Sequence, residues 1–360
     1  VVVFACDAYA YKGKKVDVHQ HMSELIQALP SVRQVVMVSF ARSEQQAVQP
    51  SDSEGFSPES QWFHRIPEQA CPPPVQQSFA APLYILYSSG TTGKPKCIVH
   101  SQGGTLIQHL KELRLHTDLK SGQGICYFTT CGWMMWNWLI SSLAVGAKLV
   151  LFDGNPTYPV PSRLLEIAEQ EQVSVLGASA KLFSTWQQQG VSAPGVLSTL
   201  HTILSTGSPL LPETHRYLYS LKPECCIASI SGGTDIIACF ALGNPWLPVR
   251  AGELQAPGLG MAVSIFNIRG EAVIEQTGEL VCLQDFPSHP IEFWQDTDRV
   301  KLKAAYYERF EQVWAHGDYG YMTKWGGLIL LGRSDSVLNP GGVRIGTAEI
   351  YRQLEPLQEI

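Results

Sequence analysis

Tyr87-Ser88-Ser89-Gly90-Thr91-Thr92-Gly93-Lys94-Pro95-Lys96 is the stretch on which the reading of this chain turns. It lies between two apolar runs, residues 83–87 and 97–99. Glycines let backbone N–H groups approach an anion, hydroxyls donate to its oxygens, and ammonium groups neutralise its charge. Such a loop suits a polyphosphate. It is not a Walker A loop, because Ser88 stands where the first glycine belongs and Pro95 follows the lysine. Without further motifs, a Ser/Thr/Gly hairpin with solubilising lysines would serve equally well.

Outward from the loop, short apolar runs alternate with helix-length segments. The pattern predicts strands at 83–87, 125–128, 148–152, 173–176 and 201–204. Helices are predicted at 104–115, 161–171, 181–189 and 212–221. This alternation implies an α/β fold with a mostly parallel sheet covered by helices on both faces. The first fifty residues read as strand 1–4, helix 19–29 and strand 35–38, with Cys225-Cys226 placed in a further buried strand. Residues 43–78 are polar and proline-rich, which predicts a surface connection. After Gly243, glycines and short strands such as 261–268 and 278–283 predict a β-rich subdomain.

Composition narrows the function classes. With 45% hydrophobic and 16% charged residues among 360, the chain can bury a large core, which excludes long disorder or a fibrous repeat. A net charge of −6 argues against nucleic acid held on a broad basic face. Nine irregularly spaced cysteines without a C-x-x-C pair argue against a disulfide framework or structural zinc, and favour a reducing compartment. His19 and His21 fall in a predicted helix without a partner motif, so they are a poor metal pair. The most apolar stretch, 131–152, contains Asn137, Ser141, Ser142 and Lys148, and reads as a buried helix and strand instead of a membrane span.

Further motifs follow the loop in order. They are Ser205-Thr206-Gly207-Ser208-Pro209, Ser231-Gly232-Gly233-Thr234-Asp235, Gly278-Glu279-Leu280 and His316-Gly317-Asp318-Tyr319. Last come Gly332-Arg333-Ser334-Asp335 with Gly342-Val343-Arg344-Ile345-Gly346 and Glu349-Ile350. Together with the loop, this series resembles the adenylate-forming superfamily of acyl-CoA synthetases, luciferases and peptide-synthetase adenylation domains. Within it, residues 97–101, 103–111, 132–138, 200–209 and 230–236 are similar to the branch that activates acetoacetate.

The resemblance implies two steps: a carboxylate and ATP give an acyl-adenylate and diphosphate, and the thiol of CoA then takes the acyl group. The products would be acetoacetyl-CoA and AMP, made in the cytosol from a ketone body for lipid and sterol synthesis. Ser88, Ser89, Gly90, Thr91, Thr92, Gly93, Lys94 and Lys96 would grip phosphates, with Thr91 and Lys94 close to the chemistry. Gly207, Ser208 and Pro209 would line the adenine site, and Ser231, Gly232, Gly233 and Thr234 the segment beside it. Asp235 would reach Mg²⁺, Asp318 and Arg333 would hold the ribose, Arg344 would pair with phosphate, and Asp335 would be a hinge. Neither nucleic acid nor stable membrane insertion is implied, and the oligomeric state is left open.

Several of these residues have ordinary structural readings too. Asp235 could cap a helix over 236–240, Asp318 could be a turn residue, and Trp133, Trp136 and Trp138 could form a buried aromatic cluster. Trp138 is assigned to that cluster and Trp133 to the acyl pocket. Gly232 stands where acetyl-CoA synthetases carry a tryptophan, so a roomier acyl pocket is expected, and Gly232→Trp is expected to favour acetate.

The resemblance divides the chain into a large adenylating domain, 1–333, and a hinge with the first residues of a small domain, 334–360. The opening Val1-Val2-Val3-Phe4 and the ending at Ile360 suggest a partial sequence, without a counterpart for the lysine that relatives carry in the small domain. A nucleotide-binding product with little turnover, and a synthetase of another short- or medium-chain acid, remain as alternatives.

Overall fold

Four nearly continuous apolar strands, edged by the short pair Lys148–Leu149, build a parallel sheet, and the burial of the four on both faces accounts for their lack of strict polar alternation. In the computed structural model, which describes residues 1–38, 60–62, 73–88 and 95–334, the sheet runs in the order Cys226–Ser229, Thr202–Thr206, Val173–Ser179, Gly124–Tyr127 and Lys148–Leu149. The chain divides into two compact units, 1–76 with 152–163, and 77–151 with 164–360. The sheet belongs to the larger one.

Helices Gln102–Lys111, Met134–Ile140, Arg163–Gln170, Ala180–Gln188 and Pro212–Leu221 accompany the sheet. Their starts follow local chemistry. Ser101 and Ser179 accept the amides of Gly104 and Leu182, each at 3.2 Å, as N-caps. Pro212 opens its helix, where a missing N–H costs nothing.

The β-rich part contributes an antiparallel sheet of Val263–Phe266, Gly278–Cys282, Trp314–Met322 and Leu328–Arg333. Its core is shared with earlier segments, since Ile98, Ile236 and Phe240 pack with Leu280, Phe293 and Trp314. Of the two cysteines expected in a buried strand, Cys226 begins one and is half-buried, while buried Cys225 precedes it.

Four expectations need correction. The strand at 83–87 is Pro82–Ser88, and it pairs antiparallel with Lys96–Ser101 instead of joining the parallel sheet. So short a connection can join only antiparallel neighbours. The strand at 148–152 is paired only over Lys148–Leu149, after which the chain enters the smaller unit. The helix at 104–115 is α-helical to Lys111 and then widens into a π turn, Glu112–His116. Finally, the connection at 43–78 contains the strand Ser60–Trp62, parallel to Gln34–Val38. The remainder of 39–72 lies outside the described residues.

In the smaller unit, Val2–Cys6 pairs parallel with Gln34–Val38, and helix His19–Gln27 lies between them in sequence. A hairpin, Ala8–Tyr11 with Lys14–Asp17, completes it. Among the described residues no helix is long and apolar enough to cross a membrane.

Candidate active site

Parallel sheets present loops at the carboxyl ends of their strands, and ligands gather there. A cavity of about 960 Å³ opens where strands Thr202–Thr206 and Cys226–Ser229 end. Gly207, Ser208 and Pro209 line it just beyond the first strand, and Ser231, Gly232, Gly233 and Thr234 just beyond the second. Ser88, Trp133, Asp318 and Arg333 complete the set from four other segments. Thus each described residue given a binding role by the resemblance, apart from Lys96 and Asp235, lines this one space, while Gly278-Glu279-Leu280 of the ordered motifs lies outside it. Ser89, Gly90, Thr91, Thr92, Gly93, Lys94, Asp335 and Arg344 lie outside the described residues.

Lys96 and Asp235 form a cluster beside Gly233. The Lys96 ammonium makes an ion pair with Oδ1 of Asp235, and the Tyr306 hydroxyl donates to the same oxygen. Lys96 Nζ also lies 3.1 Å from the Tyr306 hydroxyl and 4.8 Å from the centre of its ring. Burial would raise the Asp235 carboxyl. His316, protonated at the low pH where this carboxyl titrates, and the Lys96 ammonium, with hydrogen bonds from Lys96 and Tyr306, outweigh burial and bring it down to about 2. The buried His316 ring itself is pushed toward the neutral form by desolvation. Tyr306 stacks on Trp314 with ring centres 3.7 Å apart. Sequence motifs did not single out Tyr306, which lies 71 residues from Asp235.

Asp318 sits on the long strand Trp314–Met322, opposite Arg333 in the sheet register. Arg333 Nη1 lies 3.3 Å from Asp318 Oδ1 and donates to the His316 carbonyl at 3.1 Å. Gly317 makes room for this guanidinium. A Cβ there would stand 2.3 Å from Arg333 Nη2, and its φ of 86° is in any case one that L-residues rarely adopt. Beneath it, buried Glu279 accepts the Gly317 amide at 2.8 Å and the Ser334 hydroxyl at 3.2 Å, and pairs with Arg309. The Gly-Glu-Leu motif thereby holds the backbone that carries Asp318.

The alternative readings separate cleanly. Residues 238–240 belong to strand Ala238–Leu242, so Asp235 caps no helix and sits in a tight turn. Trp138 is buried against Tyr127 and donates its indole N–H to Glu112 at 2.9 Å. Trp133, 61% exposed, stands at the cavity instead.

Gly232 overturns the pocket-volume argument. It does line the cavity, but a Cβ there would meet the Ala238 carbonyl oxygen at 1.8 Å and Cys239 Cα at 2.6 Å. The side-chain direction points into the paired strand. Glycine is needed for the close approach of two backbones, whatever acyl group occupies the cavity.

The parallel sheet, its carboxyl-end cavity and the ordered motif residues around it define the class. The chain belongs to the AMP-binding enzyme family, whose sequence model matches residues 1–285. It is 48% identical to an acetoacetyl-coenzyme A synthetase of Rhizobium meliloti (strain 1021), over 99% of this chain and 54% of that protein. An acetoacetyl-CoA synthetase of Danio rerio is 43% identical over 100% of this chain and 54% of its own length. The solved acetoacetyl-CoA synthetase from Streptomyces lividans superposes with a TM-score of 0.91 at 39% identity, covering 100% of this chain and 55% of that one. The expected adenylate-forming fold is therefore the one observed. The chain spans about half the length of the curated relatives it matches.

Proposed function

We propose that the protein is an ATP-dependent acid–thiol ligase that activates acetoacetate and passes it to CoA. The observation that carries the reading is the convergence of residues from six separate segments on one cavity large enough for a nucleotide. The similarity to acetoacetyl-CoA synthetases supports acetoacetate as the acid.

In the first step a carboxylate oxygen of acetoacetate attacks the α-phosphorus of ATP and displaces diphosphate. In the second, the CoA sulfur attacks the acyl carbon and displaces AMP. Both steps bring anions together, so the site must position and neutralise them. Asp318 accepts the ribose hydroxyls and Arg333 fixes its carboxylate. Gly207, Ser208 and Pro209 border the base, while Ser88 and Lys96 flank the phosphate loop. Thr91, Lys94 and Arg344 take phosphate contacts and Asp335 serves as the hinge, both by family resemblance. The division at 333/334 and a cytosolic location belong to the same reading.

Mg²⁺ fits the residues present. Asp235 is ionised at neutral pH, and an ionised carboxylate is the hard oxygen ligand this ion takes together with substrate phosphates and water. Among the described residues no cluster of three or more His, Cys, Asp or Glu could hold a metal. When bound, Mg²⁺ supplies charge neutralisation at the phosphates, and Asp235 would hold it, directly or through water.

ATP–diphosphate exchange measured with acetoacetate, acetate, propionate and butyrate tests the assignment. Acetoacetate should support the fastest exchange. Equal or faster exchange with acetate would overturn it.

A further inference from the structure

The turn 234–237 joins strand Ser231–Gly233 to strand Ala238–Leu242 and carries Asp235. Its last residue, Ile237, is fully buried and has φ of 49°. A β-branched residue avoids this left-handed region unless its surroundings enforce it.

Two buried histidines reach this turn from neighbouring elements. His100, on strand Lys96–Ser101, places Nε2 2.9 Å from the Thr234 carbonyl oxygen. His109, on helix Gln102–Lys111, places Nε2 2.6 Å from the Ile237 carbonyl oxygen. A carbonyl oxygen only accepts, so each ring carries its proton on Nε2. His109 Nδ1 then accepts from the Ser141 hydroxyl at 2.8 Å, while His100 Nδ1 is buried with no hydrogen-bond partner among the described residues.

We propose that His100 and His109 are positioning residues that grip the Asp235 turn at both ends and fix where its carboxylate points. The two rings are 1% and 0% exposed, and each directs its only N–H to a carbonyl of the same four-residue turn. Desolvation keeps both neutral, with pKa values of about 4, so each offers one directed donor in place of a second buried charge. Together they anchor the first and last carbonyls of the turn, across the residue with the unfavourable φ. The consequence for metal binding rests on the reading of Asp235 given above.

His100→Leu and His109→Leu remove the donors, whereas His100→Gln and His109→Gln keep an N–H at about the same reach. Hydrogen–deuterium exchange of residues 231–242 reads the turn directly. It should rise about tenfold or more in the leucine variants, recover in the glutamine variants, and stay unchanged in strand Val173–Ser179. Mn²⁺ affinity in the presence of ATP, read by electron paramagnetic resonance, should weaken about tenfold with leucine and recover with glutamine. If a leucine variant does not fold, the corresponding asparagine, whose amide falls short of the carbonyl, replaces it.

Unchanged exchange at 231–242 in folded variants that lack the donor would overturn the proposal. If exchange rises but neither these variants nor Asp235→Asn changes Mn²⁺ affinity, the grip stands and the metal reading of Asp235 falls.

Discussion

The hydroxyl of Tyr306 donates to Oδ1 of Asp235, the same oxygen that holds the Lys96 ammonium. One carboxylate oxygen is thus fixed from two sides, by a residue of the phosphate-loop hairpin and by one of helix Val300–Tyr306. Tyr306→Phe removes the hydroxyl and leaves the stack on Trp314. A hydrogen bond to a charged group contributes about 1.5–3 kcal/mol, so ATP–diphosphate exchange should fall about tenfold or more. The same loss should lower the denaturation midpoint, so exchange is compared under conditions where both proteins are folded. Wild-type exchange in this variant would remove Tyr306 from the site.

Asp318→Asn keeps the shape of the side chain but removes the negative charge that faces Arg333. The KM for ATP should rise about tenfold or more, while the KM for acetoacetate stays near wild type. Steady-state kinetics with each substrate varied in turn separates the two. A rise confined to acetoacetate would contradict the ribose assignment.

Gly232→Ala tests the close approach of backbones. The added Cβ would stand 1.8 Å from the Ala238 carbonyl oxygen, so the paired strand must shift. Overpacking of this kind costs about 1–3 kcal/mol, readable in a urea titration. Gly232→Trp should impair acetate and acetoacetate alike. A clean gain for acetate would restore the volume argument.

Acid should weaken the fold through His100 and His109. Their pKa values fall from 6.5 to about 4, chiefly by desolvation. The unfolded chain therefore binds more protons between these values, and stability is full above about pH 6.5 and lost as pH falls toward 4. From pH 7 to pH 5 the loss should be roughly 2 kcal/mol for each ring. Asp235, brought down to about 2, stays ionised across this window and adds nothing to the change. Urea midpoints at the two pH values, for wild type and for the double variant His100→Gln with His109→Gln, measure the effect. The double variant should lose the share of these two rings, while His215, also lowered to about 4 by desolvation, keeps its own.

Local chemistry made much of this legible. The strand runs, the helix start at Pro212 and the ordered motifs are short-range features, and Asp318, Arg333 and Thr234 line one cavity. What escaped depends on contacts distant in the chain. Tyr306 has no motif of its own and matters only because folding brings it to Asp235. His100 and His109 read as ordinary residues of a strand and a helix until their carbonyl partners, 134 and 128 residues later, are known. Gly232 misled because its identity suggested volume, whereas its backbone direction decides what a side chain there would meet. The π turn at Glu112 likewise has a distant setting, since its carboxylate accepts from Cys239 and Trp138.

The most direct test of the proposed activity omits CoA. The protein is mixed with ATP, Mg²⁺ and acetoacetate, and the bound products are identified by mass spectrometry. The account predicts an acetoacetyl-adenylate that forms only when acetoacetate is present and is lost in Asp235→Asn. Release of AMP or ADP at the same rate without acetoacetate, and with no acyl-adenylate, would contradict it.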